Sequence, residues 1–356
     1  MLVSATEGVK GMGISLSADR KNEHLDVVLG GRARPQVSNG FDRIAFEHVA
    51  LPELDMDEID LSTQFLGKRI SAPLLVSSMT GGPARAAIIN QNLAIACEEL
   101  GLPLAVGSQR VAIEDKEQAG LGADLRRYAP TIPLLGNFGA AQLNLGFGAE
   151  EARRAVDMIG AAALNIHLNP LQEAVQPEGN RNWKGLLGQI ETLATRLGVP
   201  LVIKEVGAGI SGSLARHLID AGVSVIDVAG AGGTSWASVE AERARTPEQR
   251  AIAEAFAGWG LPTASAIEAV RAVCPDVVII GSGGIRNGVD AAKAIRLGAD
   301  LVGQAAGVLA AAMISPEAVV SHFSVVAAQL RVACFCTGSA NLKVLRNAAL
   351  QSHAGL

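Results

Sequence analysis

Eight short apolar runs, each closing on glycine or polar residues, recur along this chain with room for a helix between most of them. They are Ala72–Met79, Leu102–Ser108, Ile132–Phe138, Ala163–Leu168, Pro200–Val206, Val223–Ala229, Val277–Gly281 and Leu301–Gln304. Most are continuous rather than alternating, which is the pattern of parallel strands buried on both faces. Helices fit the intervening segments Ala84–Leu100, Glu150–Ile159, Lys184–Leu197, Ser213–Ala221 and Val289–Leu297. Eight such units predict an α/β fold, a single (β/α)8 TIM barrel. A doubly wound open sheet is the alternative, but it has fewer parallel strands and one glycine-rich turn after its first strand. Here the glycine-rich segments follow the sixth, seventh and eighth runs.

Only 3% of the 356 residues are aromatic while 49% are hydrophobic, so the core must be built from Val, Ile, Leu and Ala. The 40 glycines cluster at the ends of the apolar runs, where turns are tight and backbone can approach a ligand. A net charge of −5 with no long basic run argues against nucleic acid as a partner. Cys97, Cys274, Cys334 and Cys336 show no paired CxxC spacing and no disulfide framework, which favours a reducing, cytoplasmic setting. The pair Cys334 and Cys336 leaves a metal site open. No signal pattern opens the chain, and no apolar stretch of about twenty residues runs free of glycine or charge, so no membrane span is expected. Residues 1–17 read as a flexible extension, 18–346 as the barrel with an N-terminal substrate-binding segment, and 347–356 as a tail. The segment Gly230–Pro262, after strand six, is a long loop that reads as a lid or, in its second half, an extra surface helix.

Chemistry in barrels sits at the C-terminal ends of the strands. Here those ends read Ser77-Ser78-Met79-Thr80-Gly81-Gly82, Gly107-Ser108-Gln109-Arg110, Gly136-Asn137-Phe138-Gly139 and His167-Leu168-Asn169-Pro170-Leu171-Gln172-Glu173. They continue as Lys204-Glu205-Val206-Gly207, Gly230-Ala231-Gly232-Gly233-Thr234-Ser235-Trp236, Gly281-Ser282-Gly283-Gly284-Ile285-Arg286 and Gln304-Ala305-Ala306-Gly307. The last two resemble a phosphate cradle, formed by Gly283, Gly284, Arg286, Ala305 and Ala306; tight turns without a ligand are the alternative. Lys204 faces either the mouth, to hold a delocalised anion, or a carboxylate such as Glu205. His167, followed by Asn169, Gln172 and Glu173, reads as a ligand-binding group. Glu173 is either a hard oxygen ligand for Mg2+ or a helix N-terminal glutamate. The charged set Arg20-Lys21-Asn22-Glu23-His24 is by default a solvated patch.

Taken together, Arg20-Lys21-x-Glu23-His24, Met79-Thr80-Gly81-Gly82, Gly107-Ser108-Gln109-Arg110, His167-Leu168-Asn169-x-x-Gln172-Glu173, Lys204-Glu205-Val206-Gly207, Gly232-Gly233-Thr234-Ser235-Trp236 and Gly281-Ser282-Gly283-Gly284-Ile285-Arg286 closely resemble the type 2, FMN-dependent isopentenyl diphosphate isomerase family. The resemblance spans about Asp19 to Arg346. It implies FMN across the mouth, with Ser78, Met79, Thr80, Ser108, Asn137, Lys204 and Thr234 around the ring and ribityl chain. The FMN phosphate would meet Gly284, Ile285, Arg286, Ala305 and Ala306. Arg20, Lys21, Ser108, Gln109, Arg110, His167, Asn169 and Gln172 would bind the substrate, with Glu173 on a bridging Mg2+. Gln172 and Lys204 would be catalytic, NADPH would reduce the flavin, and the protein would be a tetramer or octamer. The reaction would interconvert isopentenyl and dimethylallyl diphosphates with no net redox change.

Other flavin or phosphate barrels fit less well. A hydroxy-acid oxidase needs a histidine base at the mouth, and Ala229–Trp236 contains none. A nucleotide dehydrogenase of the inosinate class needs a cysteine in a mouth loop, and none of the four lies in one. A flavin carrier without activity has no use for the dense Arg, Lys, His, Asn, Gln and Glu set.

Overall fold

The computed structural model describes residues 21–33, 35–79, 84–115 and 121–351. The expected extension 1–17, Arg20, Thr80, Gly81, Gly82 and the last five residues lie outside them. Eight parallel strands close into a barrel: β1 (Leu74–Val76), β2 (Leu104–Ala105), β3 (Leu134–Gly139), β4 (Ala163–His167), β5 (Leu201–Lys204), β6 (Val225–Asp227), β7 (Val278–Ser282) and β8 (Leu301–Gln304). Each pairs with its sequence neighbour, and β8 returns to β1 through Val302 opposite Leu74. Each of the eight apolar runs overlaps one of these strands, with β3 and β7 extending one residue past theirs.

Side chains alternate across a strand, so every second residue points into the barrel. One interior cluster joins Leu75, Ala105, Leu135, Ala163, Val202, Val225, Ile280 and Leu301, one from each strand. Phe65 and Ile70 of the antiparallel hairpin Thr63–Phe65 and Lys68–Ile70 belong to the same cluster. The hairpin therefore stoppers the N-terminal end. Two residues further along the strands the interior turns polar: Leu75 gives way to Ser77, Leu135 to Asn137, Ala163 to Asn165, Val202 to Lys204, Val225 to Asp227 and Ile280 to Ser282. The intervening residues, among them Leu74, Leu134, Leu164, Ile203, Ile226 and Val302, pack outward against the helical ring. An apolar floor beneath a polar layer directs any ligand to the C-terminal mouth.

The long helix Pro316–Cys336 is apolar enough to cross a membrane by length and composition alone. Its buried residues Val319, Phe323, Val326, Leu330 and Cys334 form a helical stripe, and its main neighbours are the helices Ala84–Leu100 and Gly288–Arg296. That is a ring helix of the barrel. Cys334 and Cys336 point to different sides of it and do not converge on a metal. The long segment after β6 carries two helices, Trp236–Glu242 and Pro247–Glu254, capped by the side chains of Ser235 and Thr246. At the other end of the chain, residues 347–351 are held to the segment after the first turn: Glu47 N–H donates to Ala349 O, and Gln351 N–H to Ala45 O.

Candidate active site at the barrel mouth

A cavity of about 290 Å³ opens at the C-terminal mouth. Residues 21–29 form a helix over it. Lys21, His24, Leu25 and Val28, spaced i, i+3, i+4 and i+7, line the cavity together, as one helical face should. Leu25 of this face and its neighbour Val27 are buried, and His24 meets Trp236 edge-on at 5.1 Å. Of the N-terminal charged set, Lys21 and His24 thus face the cavity, while Glu23 is exposed.

The structure gathers Ser78, Met79, Ser108, Arg110, Asn137, His167, Asn169, Gln172, Glu173, Lys204, Thr234, Ala305 and Ala306 around this one cavity. Gln109 is not among them. It is fully buried, its amide nitrogen donating to Ala155 O at 2.9 Å and its oxygen accepting from Asn137 N–H at 2.9 Å. The chain turns over between Ser108 and Arg110, so Gln109 points into the wall while its neighbours reach the mouth. Its assignment as a substrate ligand is therefore corrected: it holds Asn137 in place.

Asn137 in turn fixes His167. Its amide nitrogen donates to Val106 O at 3.1 Å, leaving its oxygen to accept from His167 Nδ1 at 2.9 Å. The imidazole is therefore protonated at Nδ1 and presents Nε2 as an acceptor. Burial pushes His167 down to about 3, helped by the positive charges of Lys204, Lys21 and Arg110, so the ring is neutral at ordinary pH. Lys204 is also buried, with Nζ donating to Glu205 O at 2.9 Å and lying 3.7 Å from Asp227 Oδ2. Ser282 Oγ donates to the other oxygen of Asp227 at 2.5 Å. The carboxylate beside Lys204 is thus Asp227, not Glu205. The Glu205 side chain instead accepts from the N–H groups of Val206, Gly207 and Ala208 and shapes the turn beyond β5. Burial nevertheless keeps its pKa above the usual carboxylate range.

The turn after β4 starts the short helix Pro170–Val175. Asn169 Nδ2 donates to Gln172 Oε1 and Glu173 Oε1, each at 3.1 Å. The second oxygen of Glu173 accepts from Asn180 N–H at 2.5 Å. Gln172 Nε2 donates to Glu240 Oε1 at 3.3 Å, so the glutamine amide is held at both ends. Glu240 is the residue sequence reasoning missed. It is buried, and also bonds His24 Nε2 at 3.0 Å and Arg243 at 2.6 Å. Burial opposes its charge, yet His24, Arg243 and Gln172 hold its carboxyl below the usual range. The available signal was its i+4 spacing from Trp236, which puts both on the face turned to helix 21–29.

Of the cradle residues, Ala305 and Ala306 reach the cavity at the start of the helix Ala306–Ile314. Gly283 and Gly284 have φ of 105° and 68°, conformations that favour glycine. A Cβ on Gly233 would lie 2.6 Å from Gly284 N, and one on Gly284 would strike Gly232 O. The glycines are therefore needed for loop-on-loop packing as well as for any ligand. The Arg286 guanidinium lies outside the cavity lining and is held by Asp290 at 2.7 Å and Asp42 at 2.9 Å, which keeps it firmly protonated.

The donors fit a phosphorylated flavin and a second anion. Asn165 Oδ1 and Asn169 Oδ1 are buried acceptors with no hydrogen-bond partner among the described residues, the state of polar atoms awaiting a ligand or water. The Ser78 hydroxyl accepts from Asn165 Nδ2 at 3.0 Å, which leaves its hydrogen free to donate. No group of three or more His, Cys, Asp or Glu able to hold a metal occurs among the described residues. A Mg2+ at Glu173 would therefore draw on oxygens from substrate and water, as that ion commonly does.

Comparison with known proteins shows the family of the chain. The model of the FMN-dependent dehydrogenase family matches residues 150–352. A protein of Stutzerimonas stutzeri named isopentenyl-diphosphate delta-isomerase is 64% identical over 93% of this chain and 96% of its own. Proteins of the same name from Xanthobacter autotrophicus and a Nostoc species are 61% and 50% identical, over 93% and 92% of this chain and 96% and 94% of theirs. Among solved structures, a lactate oxidase of Pediococcus acidilactici superposes with a TM-score of 0.65 at 17% identity, covering 93% of this chain and 88% of its own. At that identity the likeness concerns the fold alone.

Proposed function

The chain belongs to the type 2, FMN-dependent isopentenyl-diphosphate delta-isomerases, a branch of the FMN-dependent dehydrogenase family, and on that premise we propose how its mouth cavity serves the reaction. It interconverts isopentenyl diphosphate and dimethylallyl diphosphate. The observation that carries the site assignment is the convergence of Lys21, Arg110, His167, Asn169, Gln172, Glu173 and Lys204 on one cavity.

Lys21, Arg110, His167 and Asn169 form the diphosphate end. The lysine and arginine give charge-assisted bonds, His167 can meet a protonated oxygen or a metal-bound water with its free Nε2, and Ser108 adds a hydroxyl. Glu173 would hold Mg2+, whose charge would offset that of the diphosphate. Remote binding of this charged end fixes the isoprenyl chain, whose carbons lie by Gln172. Glu240 and Asn169 hold that amide so that it cannot turn to follow solvent.

Ser78, Met79, Asn137, Lys204 and Thr234 would surround the flavin ring and ribityl chain, and Gly284, Ile285, Arg286, Ala305 and Ala306 would take its phosphate. Bound and reduced, FMN supplies an electron-rich acid–base face for adding one proton to the alkene and removing another. Lys204 puts a buried cation beside the ring, where it favours the anionic reduced form. The reading includes NADPH as reductant, a homo-oligomer of four or eight chains, and a cytoplasmic location, which the four free cysteines support.

The experiment is turnover in heavy water. Isopentenyl diphosphate, incubated anaerobically with protein, FMN, Mg2+ and reductant, should give dimethylallyl diphosphate carrying deuterium, seen by mass spectrometry. Formation of no dimethylallyl diphosphate, or of product without deuterium, would count against the proton addition and removal assigned to this site.

A further inference from the structure

We propose that Gln304, braced by His322, is the positioning residue that holds the two halves of the FMN phosphate cradle together; the inference rests on the flavin reading above. The halves come from different strands. Residues 284–286 follow β7, and Ala305 and Ala306 follow β8. The ladder between those strands ends at Ser282 opposite Gly303, so beyond it the backbone pairing no longer ties the two loops.

Gln304 takes over there. It is the last residue of β8, is 3% exposed and does not line the cavity, so its side chain is not a ligand. Its Nε2 donates to Ile285 O at 3.1 Å, across the gap between the halves. Its Oε1 lies 2.7 Å from His322 Nε2. Since the amide nitrogen is committed as donor to a carbonyl, the oxygen is the acceptor, and His322 carries its hydrogen on Nε2. His322 stands half-buried on the ring helix Pro316–Cys336, edge-on to Phe323 at 5.2 Å. A histidine on the outer ring thus fixes the amide that fixes the loop.

The bond fixes one of two successive peptides of the loop. In a trans peptide the N–H lies opposite the C=O. Asn39 Nδ2 holds Gly284 O at 2.7 Å, and Gln304 holds Ile285 O. With both carbonyls pinned, the directions of the Ile285 and Arg286 N–H groups are set. The Arg286 N–H, opposite the carbonyl that Gln304 holds, goes to Asp290 at 3.1 Å, so Gln304 anchors the peptide that follows Ile285, while Asn39 sets the direction of the Ile285 N–H on the other side of that residue. An apolar residue of similar size at 304 would fill the space and release the Ile285 carbonyl, so the loop after β7 would lose its tie to the end of β8.

The test uses the full chain stripped of flavin, titrated with FMN and with riboflavin, which lacks the phosphate, followed by flavin fluorescence. The unaltered protein should bind FMN more tightly than riboflavin. Gln304→Leu should weaken FMN about tenfold, as for a lost hydrogen bond that leaves a buried carbonyl unpaired, and leave riboflavin affinity unchanged. His322→Leu should weaken FMN several-fold in the same selective way, and His322→Gln, which restores a donor, should recover most of it. His322 is only half-buried, so its variants serve if Gln304→Leu fails to fold. Equal weakening of both flavins, or of neither, overturns the proposal and leaves Gln304 a packing residue. If the unaltered protein does not prefer FMN, the cradle reading falls and the proposal with it.

Discussion

Lys204→Met should lower kcat by about 10²–10³-fold, the scale of losing a preorganised electrostatic partner, while KM for isopentenyl diphosphate moves only a few-fold. The lysine sits in the polar layer of the barrel, its Nζ 3.7 Å from Asp227 and bonded to Glu205 O. In the proposed site its charge would act where charge develops along the reaction, away from the diphosphate end assigned to Lys21, Arg110 and His167. The variant should also be less stable, since Asp227 is left with a buried charge answered only by Ser282. Denaturant unfolding separates that cost from the catalytic one. A variant that is destabilised yet turns over at the unaltered rate would mean that Lys204 serves Asp227 and not the reaction.

The second large effect is expected at Glu173. Residues that only hydrogen-bond a metal's ligands already cost about 10–100-fold when lost, so Glu173→Gln should cost at least about 100-fold in Mg2+-dependent activity. Glutamine keeps an oxygen for Asn180 N–H or Asn169 Nδ2, so the turn after β4 should survive. FMN titration should be unchanged, because the proposed site assigns Glu173 to the substrate and not to the flavin. Full activity with an unaltered Mg2+ requirement would return Glu173 to the role of a helix N-terminal glutamate.

The barrel was legible because its signal is repetitive. The run Leu301–Gln304 coincides with β8, and Ala84–Leu100 coincides with a ring helix. Buried strands in a parallel barrel are apolar on both faces, so composition and spacing suffice. The hairpin that stoppers the barrel was not read. Its strands are three residues each, and Thr63, Gln64, Lys68 and Arg69 give it a polar look; only Phe65 and Ile70 are buried. Among the site residues, neighbours in sequence misled where the chain turns. Gln109 lies between two cavity residues but points into the wall, and Glu205 follows Lys204 but accepts from its own turn. Glu240 was hidden for the opposite reason. It lies 68 residues from Gln172, in a segment that reads only as a long loop, and its importance comes from a helix that packs from the other end of the chain. Periodicity reports burial; it does not report which distant side chain fills the remaining hydrogen bond.

The central claim is that reduction prepares the site and is not consumed by the reaction. It is tested by counting reductant against product. Protein loaded with FMN, held anaerobically with Mg2+ and excess isopentenyl diphosphate, is given NADPH in an amount matching the flavin, and NADPH loss and dimethylallyl diphosphate are followed together. The account predicts no product with oxidised FMN under air, then many molecules of product for each NADPH oxidised. Consumption of NADPH mole for mole with product would contradict it and make the protein a flavin reductase or dehydrogenase.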